Sequence, residues 1–369
     1  MYEMDNLRPI NTWFKKLEQG PVIISGPCSA ESEEQMIKTA QGLKNTGKVQ
    51  IFRAGIWKPR TRPDSFEGMG GEALQWLDSV KRETGMLTTV EVASPRHVEQ
   101  CLKHNVDIMW IGARTTSNPF SVQELASALQ GMNIPVMVKN PINPDVNLWI
   151  GALERIYKAG ITRLAAIHRG FYPFEETWLR NIPKWELAIE LKSRFHNLPI
   201  ICDPSHIAGT RKYIREIAQK SLDLNVDGLM IESHFDPSSA LSDAEQQLTP
   251  EGVGELLDGL VYRCCLEENG PSDQLEKFRD QIDSVDTQLL ELLAQRMRIV
   301  QEIGEYKSKN NITILQLRRW EKVREKGKEI GQSLGLSANF VTQLLRLVHK
   351  EAIHKQTQIM NQKETDKND

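Results

Sequence analysis

The segment PVIISGPCSAESEEQMIKTAQGLK, residues 21–44, contains an apolar run, a bend and a stretch with helical spacing. The run PVIISGP has the β-branched composition of a buried strand, and the stretch SEEQMIKTAQGLK places apolar side chains three and four residues apart. This strand–helix unit recurs along the chain. Further strand-like runs lie at residues 49–55, 86–94, 107–113, 134–140, 162–170, 198–206 and 227–234.

Eight nearly continuous apolar strands joined by helices predict a parallel sheet whose outer face is covered. Eight such units in about 245 residues match the size of a (β/α)8 barrel. An open doubly wound sheet is the alternative, but no Gly-x-Gly-x-x-Gly motif follows the first strand. The sequence therefore favours an α/β fold with a (β/α)8 TIM barrel.

The pattern changes after residue 265, where LEENGPSD, residues 266–273, forms a polar break that no strand-like run follows. From Ser272 onward, apolar residues at steps of three, four or seven predict one amphipathic helix of roughly 35 residues and about 50 Å. Residues 312–332 and 337–356 predict two more helices. The expected domains are a barrel over 1–265, a linker over 266–271 and a small all-α domain of three helices over 272–369, ending in a frayed tail.

Composition excludes several classes of protein. The formal net charge of −3 gives no overall attraction to nucleic acid or to a membrane surface. The five cysteines are odd in number and irregularly spaced, which argues against a disulfide framework. The N-terminus lacks the apolar core of a signal peptide, and no apolar run reaches the length of a membrane span. We therefore expect a cytoplasmic protein without nucleic-acid or membrane partners.

The carboxyl ends of barrel strands face one mouth, where this fold builds its active sites. Two sets of side chains fall there. Ligands suited to a divalent first-row metal ion such as Mn, Fe, Co or Zn are Cys28, His206, Glu232 and Asp243. Cations suited to a phosphorylated acid are Arg53, Lys58, Arg60, Arg62, Arg114, Lys139 and Arg169. Residues expected to have only a structural role are Cys101, Cys202, Cys264, Cys265 and His234.

The motifs GPCS, FRAGIWKPRT, IGAR, VKNP, HRG, DPSH, and IESH followed by ALSDAEQQL carry these residues. Along all eight units they resemble the type I-beta 3-deoxy-D-arabino-heptulosonate 7-phosphate (DAHP) synthases. The resemblance implies a metal held by Cys28, His206, Glu232 and Asp243. It implies phosphoenolpyruvate binding by Arg53, Lys58, Arg114, Lys139 and Arg169, with Lys58 also catalytic. It implies erythrose 4-phosphate binding at the loop that contains Lys58, Arg60 and Thr61, where Arg62 replaces the usual small residue.

The first predicted helix of the second domain carries two cations on one face. Arg296 and Lys307 are eleven residues apart, which is three helical turns, so both can reach one small dianion. Arg279 lies roughly 100° away around the helix. The domain resembles the all-helical chorismate mutases, which implies a substrate site formed by Arg296, Lys307, Arg319 and Gln356 and completed by Arg279 of a second copy. In that family the catalytic positions correspond to Arg296, Lys307 and Gln356. Departures from the family pattern are Gln316, Trp320 and Ala352.

Together the resemblances imply a bifunctional enzyme of the shikimate pathway, which supplies aromatic amino acids. One activity condenses phosphoenolpyruvate and erythrose 4-phosphate to DAHP and phosphate, and the other rearranges chorismate to prephenate. We expect a homodimer through the helices, with a larger assembly left open, and no N-terminal regulatory domain. Prephenate is the first candidate for an inhibitor. Two alternatives stay open: a related synthase that uses arabinose 5-phosphate, and a helical domain that only regulates or dimerises.

Overall fold

The computed structural model describes residues 4–17, 20–58, 66–173, 177–263 and 273–365. The chain divides into two compact units, Met1–Cys265 and Leu266–Asp369. The expected linker 266–271 lies outside the described residues, and so do Arg60, Thr61, Arg62, Cys264 and Cys265. Within the described ranges, no helix is long and apolar enough to cross a membrane.

The first unit contains a closed barrel of eight parallel strands in sequential order. The strands are β1 (Val22–Gly26), β2 (Ile51–Ala54), β3 (Leu87–Val92), β4 (Ile108–Ile111), β5 (Val136–Lys139), β6 (Leu164–His168), β7 (Ile200–Cys202) and β8 (Gly228–Glu232). Each strand lies within one of the eight predicted runs, and the predicted barrel is confirmed.

Helices surround the barrel and connect its strands. They are α1 (Glu33–Asn45), α2 (Glu72–Thr84), α3 (Pro95–Lys103), α4 (Ala113–Thr116), α5 (Pro119–Leu129), α6 (Val146–Lys158), α7 (Trp185–Arg194), α8 (Pro204–Ala208), α9 (Arg211–Asp223) and α10 (Pro250–Asp258). Side-chain caps define several starts. Ser32 accepts a hydrogen bond from the Gln35 backbone N–H at α1, and Asp203 accepts one from the His206 N–H at α8.

The inward-facing side chains of the strands change from apolar to charged along the barrel axis. Alternate residues of a strand face the same side. The inner apolar layer includes Ile51, Met137, Ile201 and Met230. Two residues further along the same strands, the inward positions are held by Arg53, Lys139, Asp203 and Glu232, all buried. The fold thus places a set of buried charges at the mouth, directly above an apolar interior.

The segment before the first strand closes the opposite end of the barrel. Ile10, Trp13 and Leu17 belong to the same apolar cluster as the inward side chains of the strands. The Trp13 Nε1–H donates to the Arg8 carbonyl at 3.0 Å, and the Arg8 N–H donates to the Thr162 carbonyl at 3.0 Å. These contacts fix the segment as a floor beneath the inner layer.

The second unit consists of α11 (Asp273–Lys309), α12 (Leu317–Ser333) and α13 (Ala338–Thr365). Helix α11 has 37 residues, as the long-helix prediction required. Helix α13 packs against both other helices. A Cβ added at Gly331 would lie 2.4 Å from Val341 Cγ2, so the close approach of α12 and α13 requires glycine there. The predicted three-helix arrangement is confirmed.

One face of α11 remains exposed. Apolar side chains that are between 43% and 63% exposed are Phe278, Ile282, Val285, Leu289, Leu292 and Ile303. Hereafter this set is called the α11 apolar face. Soluble proteins seldom expose a continuous apolar surface of this kind without a partner.

Candidate functional site

Three of the proposed metal ligands lie together at the mouth of the barrel. The Cys28 thiol and the carboxylates of Glu232 and Asp243 each offer a ligand atom within 4.8 Å of the others. The Cys28 Sγ–H donates to Asp243 Oδ2 at 3.1 Å. Gly26, at the end of β1, has φ +150, and a Cβ there would lie 2.1 Å from the Arg53 carbonyl oxygen. The bend that carries Cys28 into the mouth therefore requires glycine.

His206 lies beside this cluster. Its Nε2 is 3.7 Å from Glu232 Oε1, and its Nδ1 is 2.8 Å from Asp203 Oδ2. Asp203 also accepts a hydrogen bond from Lys139 Nζ at 2.9 Å. Because Asp203 holds Nδ1, the free Nε2 of His206 faces the carboxylate of Glu232. A histidine oriented by a carboxylate in this way is typical of metal ligands.

The donor set fits a divalent first-row ion. Burial, together with the charge of Glu232, raises the pKa of the Cys28 thiol to about 12, so the thiol keeps its proton in this arrangement. Glu232 Oε1 is buried and accepts no hydrogen bond from the residues that the structure describes, although Arg53 Nη2 lies 3.1 Å away. A thiol and two carboxylates, with an imidazole beside them, are the mixed ligands that such ions prefer. Binding of an ion would release the thiol proton.

Arg53 is the most deeply buried cation of the mouth, with 1% of its surface exposed. Its Nη2 lies 3.1 Å from Glu232 Oε1, and its Cζ lies 5.0 Å from the centre of the Trp110 ring. Its Nε and Nη1 are buried without a hydrogen-bond partner among the described residues. A buried donor without an acceptor lowers the stability of the folded state, and binding of an acceptor removes this cost. Arg53 therefore retains two donors for an anion.

The other candidate cations for which the structure gives a position border a cavity that also contacts the proposed metal ligands His206 and Asp243. Its lining includes Lys58, Arg114, Lys139 and Arg169. Lys58 Nζ donates to the Cys28 carbonyl at 2.9 Å and lies 2.8 Å from Cys28 Sγ. Burial lowers the pKa of Arg169 to about 10, and neighbouring cations contribute to this lowering. Such a concentration of positive charge favours an anion of high charge density.

Three residues of this site received no role from the sequence. Glu91 and Arg180 line the cavity beside the predicted ligand Asp243, and Gln246 is buried next to Glu232. Glu91 occupies an inward position of β3, which strand alternation could have revealed. Arg180 and Gln246 lie on loops, where no periodicity marks them.

Neighbouring residues at the strand ends face the other way. His168 points outward from β6 and packs against the rings of Trp149, Phe171 and Trp185. Burial lowers the pKa of His168 to about 4.

Three of the residues expected to have only a structural role lie within the described ranges: Cys101, Cys202 and His234. All three are buried, and both cysteines pack in the apolar core outside the barrel wall.

The helical unit brings together part of its predicted site. Arg296 Nη1 and Gln356 Oε1 are buried and have no hydrogen-bond partner among the described residues. Lys307 Nζ donates to the Ile314 carbonyl at 2.6 Å. Burial lowers the pKa of His349, and the charges of Arg296 and Lys307 lower it further, so these three side chains share one region. The His349 ring stacks on Trp320 with centroids 4.1 Å apart.

The other predicted residues of that site lie at the surface. Arg319 is exposed. Of the positions that depart from the family pattern, Gln316 is also exposed and Ala352 is buried. Arg279 is 59% exposed and its guanidinium donates to Glu276 at 2.5 Å. Within one chain, Arg279 is therefore not part of the cluster around Arg296.

Comparison with known proteins matches both units. Residues 16–260 match the model of the DAHP synthetase I family, and residues 278–357 match chorismate mutase type II. The phospho-2-dehydro-3-deoxyheptonate aldolase of Thermotoga maritima is 31% identical over 235 residues, covering 64% of this chain and 67% of that protein. A 2-dehydro-3-deoxyphosphooctonate aldolase of Xanthomonas oryzae is 26% identical, covering 66% of this chain and 91% of that protein.

Two solved structures of DAHP synthases are also similar to this chain. The crystal structure of the Thermotoga maritima enzyme has a TM-score of 0.58 at 31% identity, covering 64% of this chain and 67% of that chain. A truncated form of 3-deoxy-D-arabino-heptulosonate 7-phosphate synthase from the same organism has a TM-score of 0.56 at 28% identity, covering 64% and 84%. The two family matches indicate two enzyme activities. This chain belongs to the DAHP synthetase I family and carries a chorismate mutase type II domain in its helical unit.

Proposed function

We propose that the barrel mouth condenses phosphoenolpyruvate with erythrose 4-phosphate, and that the helical unit converts chorismate to prephenate. The observation that carries the first assignment is the convergence of two sets of side chains. A thiol and two carboxylates lie together with an imidazole beside them, and five cations line a cavity that also borders His206 and Asp243. One substrate is a phosphorylated carboxylic acid and the other is a phosphorylated aldehyde, so the pair needs both an anion site and an electrophile site.

In this proposal the cations position phosphoenolpyruvate. Arg53, Lys139 and Arg169 hold its carboxylate and phosphate, with Arg114 at the cavity wall, and so direct its C3 toward the aldehyde carbon. A divalent ion, when bound, supplies Lewis-acid polarisation of the aldehyde oxygen. The residues that would hold it are Cys28, His206, Glu232 and Asp243. The proposed ion is a divalent first-row metal of the class that includes Mn, Fe, Co and Zn.

Bond formation then follows from these positions. The C3 of phosphoenolpyruvate attacks the aldehyde carbon, and Lys58, whose ammonium lies at the cavity wall, donates a proton to the oxygen that becomes a hydroxyl. Water adds at C2 of the former enol, one of its protons restores Lys58 and the other goes to the leaving phosphate, the C2–O bond to phosphate breaks, and C2 becomes a carbonyl as inorganic phosphate leaves. The Arg and Lys side chains stabilise the negative charge that develops in both steps. Arg60 and Thr61 are proposed to contact the erythrose 4-phosphate.

For the mutase, we propose that Arg296, Lys307, Arg319 and Gln356 bind chorismate within one chain. The unpaired buried atoms of Arg296 and Gln356 support this assignment. Arg279 is exposed and pairs with Glu276, so we propose that it completes the site of a second copy. The α11 apolar face, which runs beside Arg279, supports a homodimer as the functional state.

The fusion suggests a route for feedback. We propose that prephenate, bound to the helical unit, lowers synthase activity by favouring a less active arrangement of the two units. Synthase kinetics measured across a prephenate titration test this. Unchanged kcat and KM for both substrates would remove it.

We propose a cytoplasmic location, since the thiol ligand requires a reducing compartment. A synthase that uses arabinose 5-phosphate is the second candidate, because relatives named 2-dehydro-3-deoxyphosphooctonate aldolase cover 66% of the chain at 26–27% identity. Parallel assays with the two aldose phosphates decide between them.

The main experiment uses one purified sample of the full chain. Phosphate-releasing condensation and chorismate consumption are measured with and without a chelator. We expect the chelator to abolish the first activity and to spare the second, since the helical site has no metal-ligand cluster among the described residues. Condensation that persists after complete metal removal would contradict the metal-dependent mechanism, and a sample without chorismate turnover would leave the helices a regulatory or dimerisation role.

A further inference from the structure

Gln246 connects two charged side chains of the barrel mouth. It is 1% exposed and lies in the short turn that follows Asp243. Its Nε2 donates to Glu232 Oε2 at 2.6 Å, and its Oε1 accepts from Arg180 Nη1 at 2.6 Å. A guanidinium can only donate and a carboxylate can only accept, so the orientation of this amide is fixed by its neighbours.

Arg180 extends the connection to a second carboxylate. The same Nη1 donates to Asp243 Oδ1 at 3.0 Å. A continuous chain of hydrogen bonds therefore runs from Glu232 through Gln246 and Arg180 to Asp243. It uses one oxygen of each carboxylate, Oε2 of Glu232 and Oδ1 of Asp243.

The other oxygen of each carboxylate faces the proposed metal position. Asp243 Oδ2 accepts from Cys28 Sγ–H at 3.1 Å. Glu232 Oε1 lies 3.7 Å from His206 Nε2 and 3.1 Å from Arg53 Nη2, and among the described residues it accepts no hydrogen bond. Each carboxylate is thus held at its outer oxygen and presents its inner oxygen. A carboxylate free to rotate would present either one.

We infer that Gln246 and Arg180 are positioning residues that hold the carboxylates of Glu232 and Asp243 in the orientation that binds the metal. The inference rests on the metal site proposed above. Residues that orient ligands in this way often change metal affinity 10- to 100-fold when they are replaced.

The adjacent glutamine, Gln247, differs from Gln246 because its side chain bonds to backbone groups. Gln247 is also buried, but its Oε1 accepts from the Cys28 backbone N–H at 3.0 Å and its Nε2 donates to the Ser242 carbonyl at 2.9 Å. These bonds fix the course of the backbone. Both bonds of Gln246 instead go to side chains, one of them a proposed ligand.

The test uses the full chain and Co²⁺ as the probe. Variants are Gln246→Met, Arg180→Met, the double variant, and Gln50→Met as a matched control. Gln50 lies near the floor, where its Oε1 accepts from the Ile23 N–H at 2.8 Å, so this control loses one glutamine bond to the barrel whereas Gln246→Met loses two. Measurements are Co²⁺ affinity by competition with a chromophoric chelator, the visible d–d spectrum of the Co²⁺ form, and urea unfolding after metal removal.

We expect Gln246→Met to weaken Co²⁺ binding about 10- to 100-fold and to change the d–d spectrum, while metal-free unfolding matches that of Gln50→Met. Removal of Arg180 also removes a positive charge that repels the ion, but this contribution is the same with and without Gln246. The combined change should therefore differ from the product of the single changes by about threefold or more, as for residues that act through each other.

Each result has a distinct meaning. Wild-type protein that binds no stoichiometric Co²⁺ overturns the proposed metal site and the inference with it. Wild-type binding with an unaltered affinity and spectrum in Gln246→Met, or strictly multiplicative effects in the double variant, overturns the inference alone. If Gln246→Met does not fold, Arg180→Met decides, since its side chain is 41% exposed. An unchanged d–d spectrum in Arg180→Met would then refute the positioning role.

Discussion

Replacement of Asp203 by asparagine tests the charge arrangement beneath the mouth. The carboxylate is fully buried and accepts from Lys139 Nζ at 2.9 Å and from the His206 N–H at 3.1 Å, while His206 Nδ1 lies 2.8 Å away. An asparagine has nearly the same shape but no charge. Its amide donors would face Lys139 or His206, both of which also donate.

The expected loss follows from the burial of the pair. Lys139 is 4% exposed, so the variant leaves an ammonium in the interior without its carboxylate. Removal of one partner of a buried ion pair lowers the free energy of unfolding by about 3–5 kcal/mol. The metal affinity should also fall, by about 10- to 100-fold, because the His206 ring loses the carboxylate that orients it.

The control is Asp227→Asn. Asp227 pairs with Lys192 at 2.9 Å, but both side chains are about one-third exposed, so we expect a change within about 1 kcal/mol. Urea unfolding is followed by tryptophan fluorescence after metal removal, since seven of the eight tryptophans precede residue 266 and report on the barrel. If Asp203→Asn lost no more stability than Asp227→Asn, the reasoning from burial would be refuted.

Three further predictions concern other parts of the chain. Cys28→Ala should abolish the condensation and leave chorismate turnover intact; condensation at near wild-type rate would exclude the thiol as a ligand. His168 has a folded pKa of about 4, so only the unfolded chain takes up its proton as the pH falls below about 6.5. The unfolding free energy should therefore decrease by up to about 3 kcal/mol between pH 6.5 and 4, and a His168→Phe variant with the same slope would contradict this. Arg279→Ala and Arg296→Ala should each remove about 2–5 kcal/mol of transition-state stabilisation, but a mixture of the two should regain turnover in heterodimers, and confirmed heterodimers without activity would place both arginines in one chain's site.

The strand ends could be predicted because they follow from two simple rules. Apolar runs of regular spacing define the strands, and parallel strands bring their carboxyl ends to one mouth. The positions of Cys28, Arg53 and Glu232 at the mouth were predicted in this way. Strand alternation further explains why Arg169 lines the cavity while His168, one residue before it, faces the outer helices.

The pairings within the site could not be predicted from spacing. Lys139 and Asp203 are 64 residues apart, and their contact depends on the closure of the whole barrel. Arg180 lies in a loop without periodicity, and nothing in its sequence context indicates a contact with Asp243, which is 63 residues away. The contacts of a loop residue become known only when the folded strands fix the positions of the two ends of the loop.

The floor formed by Ile10, Trp13 and Leu17 limits how far this enzyme can be shortened at its N-terminal side. A fragment designed to start at the first strand would keep every proposed ligand, yet it would open the inner apolar layer to water at the far end of the barrel. The smallest workable barrel must therefore include residues that belong to none of its eight strands.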